Sequence, residues 1–135
     1  MNRRKSREQA FILVFERSIN HDPVRVIVDT AETSEDVRID GFAEKTALGV
    51  EEQEAVLDGL IQKHIRGWTM NRLSKVALAL LRLALYEMKF EPDIPVSVSI
   101  SEAVNLAKKY GGAEDAPFVN GVLGSAARET GDGNA

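Results

Sequence analysis

The amino-acid sequence predicts an all-α domain of seven helices, and three observations carry that prediction. Val76–Met88 (VALALLRLALYEM) is apolar all around a helix axis, with Leu78, Leu80, Leu81, Leu83 and Leu85 spread about it. A helix apolar on every side is buried, and Ala and Leu favour helix where Gly and Pro are absent. The run is too short to span a bilayer and is interrupted by Arg82 and Glu87. Apolar residues elsewhere recur three and four apart, the helical period. No segment reads convincingly as a strand, and no repeat or low-complexity linker divides residues 1–135.

Taken in order, residues 3–19 predict the first helix, with Phe11, Val14 and Phe15 on one face. His21-Asp22-Pro23 breaks the chain; Asp22 suits an N-cap and Pro23 a first helical position. Residues 23–33 predict a short second helix through Val24, Ile27, Val28 and Ala31, although its β-branched content leaves a strand in competition. Thr33–Asp36 is a polar connection. Residues 39–66 are helical in two pieces, with Gly49 as the expected break or cap. Gly67 ends the run, Trp68 opens a connector, and Asn71 or Ser74 is available to cap the central helix, expected over residues 73–90. Pro92 and Pro95 stop it. Val96, Val98 and Ile100 alternate, but the period beyond them is helical, and Ser99 with Glu102 has capping-box spacing, so a helix is expected through Tyr110. Gly111-Gly112 ends it. A last helix is expected from about Asp115 through Ala126, with Gly121 and Gly124 permitting close packing. Residues 1–4 and 130–135 are expected to fray.

Composition narrows the function. With 44% apolar and 28% charged residues, 135 residues make one ordinary globular domain. The chain has no cysteine, which excludes disulfides, thiolate zinc sites and cysteine nucleophiles. No apolar leader follows the basic start, so a cytoplasmic location is the default. The net charge of −4 hides an asymmetry: residues 1–20 carry five bases against two acids, residues 29–58 ten acids against two bases, and residues 62–90 six bases against one acid. A basic patch can meet an anionic partner even on an acidic chain. There is no phosphate-loop or dinucleotide pattern. His64 lies on an apolar helical face and reads as a packing residue. Glu51, Glu52 and Glu54 read as a solvated face rather than metal ligands. No catalytic residue, metal or cofactor is expected, and the chain reads as a binding protein. Arg3, Arg4 and Arg7 cluster on the opening helical turns, with Lys5 among them. Cations there oppose the helix dipole, a small cost that favours an anion-binding role. Arg82, so close to a core, needs a partner.

Several stretches resemble the NusB family over nearly the whole chain. They are RRKSREQAF at Arg3–Phe11, LLRLALYEM at Leu80–Met88, ISEAVNLAKKYGG at Ile100–Gly112 and FVNGVL at Phe118–Leu123. The resemblance implies seven helices packed as two small bundles. It implies RNA binding without catalysis: a transcription antitermination factor that binds boxA-type RNA of ribosomal RNA leader transcripts together with NusE, a small-subunit ribosomal protein, and assembles on RNA polymerase. A homodimer is compatible with it. Arg3, Arg4, Lys5 and Arg7 match the family's basic opening, expected on RNA phosphates and bases. Phe118 matches an aromatic placed to stack on a base, against the alternative of a core residue. Asp115 would cap the last helix near the RNA edge, and Asn120 would hydrogen-bond to RNA or to a neighbouring loop. Arg82 matches an arginine expected at the RNA surface and, structurally, in an ion pair with Glu87 or Glu102.

Ala77 and Leu78 depart from the pattern, standing where many family members carry a charged pair, and Gly124 stands where a charge is common. The acidic stretch 29–58 would repel RNA or attract a basic ribosomal protein. Two other readings stand beside the first. One is the NusB-like accessory domain of a ribosomal RNA methyltransferase, which would require a cofactor-binding domain; Met1 and the polar end lead us to expect a complete small protein. The other is a helical protein–protein adaptor without RNA affinity.

Overall fold

The computed structural model describes residues 1–34 and 37–130. The expected polar connection at Glu35 and Asp36, and the expected tail from residue 131 onward, lie outside the described residues. Seven α-helices follow one another: α1 (Arg3–Asn20), α2 (Val24–Ser34), α3 (Gly41–Glu52), α4 (Glu54–His64), α5 (Lys75–Phe90), α6 (Val96–Tyr110) and α7 (Asp115–Thr130). A 3-10 turn, Met70–Arg72, lies in the connector before α5. No strand occurs among the described residues.

α5 is the rod that the sequence predicts. Every residue from Ala77 to Leu85 is buried, and so is Glu87. It packs against α1 and α3, which with α2 contact one another, and against α4, α6 and α7, of which α7 meets both others, so two small bundles share it. Each buried leucine contributes about 1.5–3 kcal/mol. Ser74 is the N-cap: its hydroxyl accepts from the Ala77 N–H at 3.0 Å.

The element ends show where local chemistry was overridden. Asn2 caps α1 by accepting from the Lys5 N–H at 2.8 Å, so Arg3 and Arg4, expected to fray, stand inside the helix. α2 begins at Val24, and the expected Asp22 cap is not used; the carboxylate of Glu51 on α3 receives the Val24 N–H instead, at 3.4 Å. α6 begins at Val96, three residues before the expected capping box, with Pro95 at the cap position. Ser99 is therefore inside the helix and donates to Glu87 Oε1 at 2.8 Å. The apolar alternation of Val96, Val98 and Ile100 belongs to this first turn and a half, not to a strand. α7 runs on to Thr130, where the expected tail begins.

The break between α3 and α4 falls at Gln53, not at Gly49. Gly49 lies inside α3, and the phenol of Tyr86 lies on it: a Cβ there would sit 2.2 Å from Tyr86 Oη. The glycine thus serves a close approach between α3 and α5. Gly121 does not have the expected role. Nothing lies within 4 Å of where its Cβ would be, while a Cβ at Gly124 would meet only Arg128 Nη1, at 3.3 Å.

Gly49→Ala is expected to lower stability by about 1–3 kcal/mol through overpacking, read from urea unfolding. The loss should be much smaller when Tyr86→Ala is already present; strictly additive losses would mean that the phenol does not set the limit.

Candidate nucleic-acid interface

The opening turns of α1 divide the basic cluster into an outer and an inner set. Arg3, Arg4 and Lys5 are exposed. The Arg3 guanidinium lies 3.6 Å from the centre of the Phe42 ring, which holds it against α3 by a cation–π contact. Arg4 Nε donates to Glu102 Oε1 at 3.1 Å, tying α1 to α6. Arg7 turns inward. It is 5% exposed; its Nε donates to Glu87 Oε2 at 2.8 Å, and its Nη1 lies 3.6 Å from Glu102 Oε1. Glu87, only 2% exposed, also accepts from Ser99. Arg7, expected in the RNA-facing cluster, shares the α1 face with Arg4, but its guanidinium is buried in the contacts with Glu87 and Glu102 while Arg4 stays exposed.

Arg82 has a different partner from the two expected. Glu87 and Glu102 are taken by Arg7. Five residues apart on α5, Arg82 and Glu87 point to different sides of the helix. Arg82 instead forms a two-pronged pair with Asp58 of α4, Nε to Oδ1 and Nη2 to Oδ2, both at 2.8 Å. Its Nη1 donates to Ser18 Oγ on α1 at 3.1 Å. Burial works against this guanidinium's charge, but the Asp58 bonds and the nearby Glu54 outweigh it, and Arg82 stays more basic than a free arginine. Arg82 therefore joins α1, α4 and α5 rather than lying open at a surface.

Four acids of the acidic stretch, all partly exposed, are held by partners within the protein. Arg17 meets Glu51 at 3.2 Å and Glu54 at 3.0 Å, and Asp58 is held by Arg82. Asp40 caps α3 and accepts from Ser6 at 2.9 Å; the Ser6 hydroxyl, with the Ala43 and Phe42 N–H groups, keeps its carboxyl below the ordinary range despite some desolvation. His64 packs as expected, with Nδ1 3.0 Å from Ser125 Oγ. No cluster of His, Asp and Glu among the described residues is arranged to hold a metal ion.

The start of α7 forms the second part of the candidate site. Asp115 is the first residue of α7 and does not act as its cap. Its Oδ1 accepts from the Ser74 hydroxyl and its Oδ2 from the Gly112 N–H, both at 2.9 Å, so one carboxylate fixes the α6–α7 turn to the start of α5. The turn is tight enough that a Cβ at Gly111 would lie 2.4 Å from Asp115 Oδ2. Phe118 is half-buried, and neither of its two expected roles excludes the other. One side packs on the core. The ring also meets Trp68 at 5.5 Å between centres, tilted by 58°. Trp68 is 46% exposed, and the Arg72 guanidinium lies 5.3 Å from its ring centre. Trp68, Arg72, Ser74, Ala77, Asp115 and Phe118 line an open groove of about 340 Å³. Asn120 is exposed on the same helix.

Trp68 and Arg72 were not among the residues expected in the site. A lone Trp in a connector beside a cation is a visible signal, but its meeting with Phe118, 50 positions away, is not. Ala77, buried at the start of α5, is among the residues that line the groove.

A continuous line of contacts joins the two parts. Arg4 meets Glu102 on α6, Lys109 and Tyr110 at the end of α6 both meet Glu8 on α1, and the next turn leads through Gly112 to Asp115 and the groove. The surface offers exposed, partnered cations and flat aromatic rings on a helical frame, the equipment of a helical binding protein for an anionic, ring-bearing polymer.

Comparison with known proteins places it further: the chain belongs to the NusB family, whose model matches residues 4–128. The transcription antitermination protein NusB of Clostridium botulinum (strain Loch Maree / Type A3) is 42% identical over 139 residues, covering 92% of this chain and 98% of that one. Among solved structures, NusB of T. maritima superposes with a TM-score of 0.82 at 34% identity, covering 96% of this chain and 92% of that one. A structure of the antitermination factors NusB and NusE in complex with dsRNA shares the fold, with a TM-score of 0.82 at 22% identity and coverage of 96% and 99%.

Arg7→Ala should destabilise the fold by about 3–5 kcal/mol, because it strands a buried carboxylate at Glu87. In denaturant unfolding, the paired change Arg7→Met/Glu87→Met should recover most of that loss. An Arg7→Ala protein of wild-type stability would return Arg7 to the surface cluster.

Proposed function

We propose that this chain is a non-catalytic, cytoplasmic RNA-binding factor of transcription antitermination. It binds boxA-type RNA of ribosomal RNA leader transcripts together with a NusE-type ribosomal protein, and joins the antitermination complex on RNA polymerase. The observation that carries this reading is the groove at Trp68, Arg72 and Phe118, connected along α1 and α6 to the exposed Arg3, Arg4 and Lys5. The C. botulinum relative bears the antitermination name, and the related NusB–NusE structure contains RNA. Those relatives support this reading over the methyltransferase accessory domain and the adaptor.

The two parts have different tasks. The cations supply affinity by releasing counterions from the phosphates, a term that weakens with salt and carries no base preference. The groove supplies a stacking platform: a splayed base can lie on Trp68 or Phe118, with Arg72 adding a flat cation at the edge. Asp115 and Asn120 offer an acceptor and an amide at the rim. Arg7 and Arg82 act from beneath, by holding α1 against α6 and α4 against α5. No helix among the described residues is long and apolar enough to cross a membrane.

Titration of a labelled boxA-type RNA, with and without the NusE-type partner, tests the reading. Binding should be weak alone and tighter with the partner. Arg4→Ala should lower the salt slope by about one unit. Phe118→Ala and Trp68→Ala should each cost about 1–3 kcal/mol of binding while the fold survives. Equal affinity for boxA-type and scrambled RNA, with or without the partner, would rule out the antitermination role.

A further inference from the structure

The face between the amino-terminal arginines and the α7 groove is not blank. α6 ends in three exposed residues, Lys108, Lys109 and Tyr110. Lys109 Nζ and the Tyr110 hydroxyl both donate to Glu8 Oε2 on α1. The Tyr110 ring meets buried Phe11, 5.1 Å between centres, with the Lys109 ammonium 5.4 Å from its own centre, and is 39% exposed. One turn earlier on α1, Arg4 is held by Glu102. Between the two pairs lies a cleft of about 220 Å³ with Arg4, Glu8, Glu102, Asn105 and Lys109 on its walls.

The layering of these charges is consistent. The Arg4 and Lys109 side chains are 77% and 61% exposed, and each carboxylate that holds them lies deeper than its cation. The carboxylates grip the cations from the protein side and leave their outer sides to solvent. A lysine ammonium has three donors, so Lys109 can keep Glu8 and still meet a second anion. Glu8 is ionised at neutral pH, since the Lys109 and Tyr110 hydrogen bonds hold its carboxyl below the ordinary range against slight desolvation. Exposed pairs of this kind add little to stability. Their better account is orientation of the cations at an anion-binding surface, and partial neutralisation of them.

We propose that Lys109 and Tyr110, flanked by Lys108, form a site for the phosphodiester backbone of single-stranded RNA that carries the strand from Arg4 to the groove at Phe118. Glu8 and Glu102 are internal competitors for the same cations and hold the affinity down. The proposal rests on the RNA-binding reading above and adds to it the path of the strand and a built-in brake.

The test is fluorescence anisotropy of the full chain with a fluorescein-labelled single-stranded boxA-type RNA over a series of potassium chloride concentrations. Lys109→Ala should weaken binding and lower the salt slope by about one unit. Glu8→Gln should strengthen binding about two- to fivefold at low salt, the equivalent of an exposed ion pair, and the gain should fade as salt screens it. If both variants keep wild-type affinity and slope while Arg4→Ala and Phe118→Ala weaken binding, the strand does not pass over α6 and this proposal is overturned, with the parent reading intact. If Arg4→Ala and Phe118→Ala are also silent, the parent reading fails with it. A loss of affinity in Glu8→Gln would overturn the competitor role. Thermal unfolding by circular dichroism confirms that each variant is folded; Lys109→Gln, which keeps the side-chain stem, repeats the charge test if Lys109→Ala melts early.

Discussion

α5 carries two charges, Arg82 and Glu87, into a largely apolar core, and the fold is arranged to satisfy them. Glu87 faces α1 and α6 and is met by Arg7 and Ser99; Arg82 faces α1 and α4 and is met by Ser18 and Asp58. These partners come from three other helices, α1, α4 and α6. An unpartnered charge at either position would cost several kcal/mol, so a misplaced α1, α4 or α6 is penalised by more than lost packing. No buried side-chain nitrogen or oxygen among the described residues lacks a hydrogen-bond partner. Two polar clamps on opposite sides of one apolar rod thus fix the position of one bundle against the other, which leucine packing alone would specify less tightly.

That arrangement explains why the exposed cations stand where they do. Arg7 and Arg4 both reach Glu102, so the buried clamp and the surface pair share a carboxylate. The surface arginine inherits its position from the interior. At the other end, Asp115 links Ser74 at the start of α5 to the turn before α7, so the groove walls are also referred to the central rod. Both candidate binding elements are extensions of α5 rather than separate loops.

The helical architecture was legible because it rests on periodicity, and α5 declares itself by its composition. The ends were less legible. Gly49 looked like a break because a glycine lowers helix propensity; only the distant Tyr86 shows what the glycine serves. Asp22 and the Ser99–Glu102 pair had good local capping chemistry, yet Glu51 and Glu87, from other parts of the chain, supplied or claimed the decisive bonds. The arginine cluster was legible as a cluster, but composition cannot say which of its members is turned inward. The need for a partner at Arg82 was clear from the sequence, whereas its choice of Asp58 depends on α4 lying beside α5. Family resemblance pointed to Phe118; Trp68 and Arg72 become part of the same site only once the connector is folded over α7.

The double hold of Asp115 has a thermodynamic corollary. The groove walls are in place in the free chain, so a base stacking on Trp68 or Phe118 as proposed would order itself and a few side chains, not a segment of backbone. Recognition of this kind lacks the large negative heat-capacity change that accompanies folding coupled to binding. On the proposed path its heat-capacity signal would be confined to the stacked ring surface, and the entropic cost would fall mainly on the RNA strand, which would give up its own freedom to follow a track that is already laid.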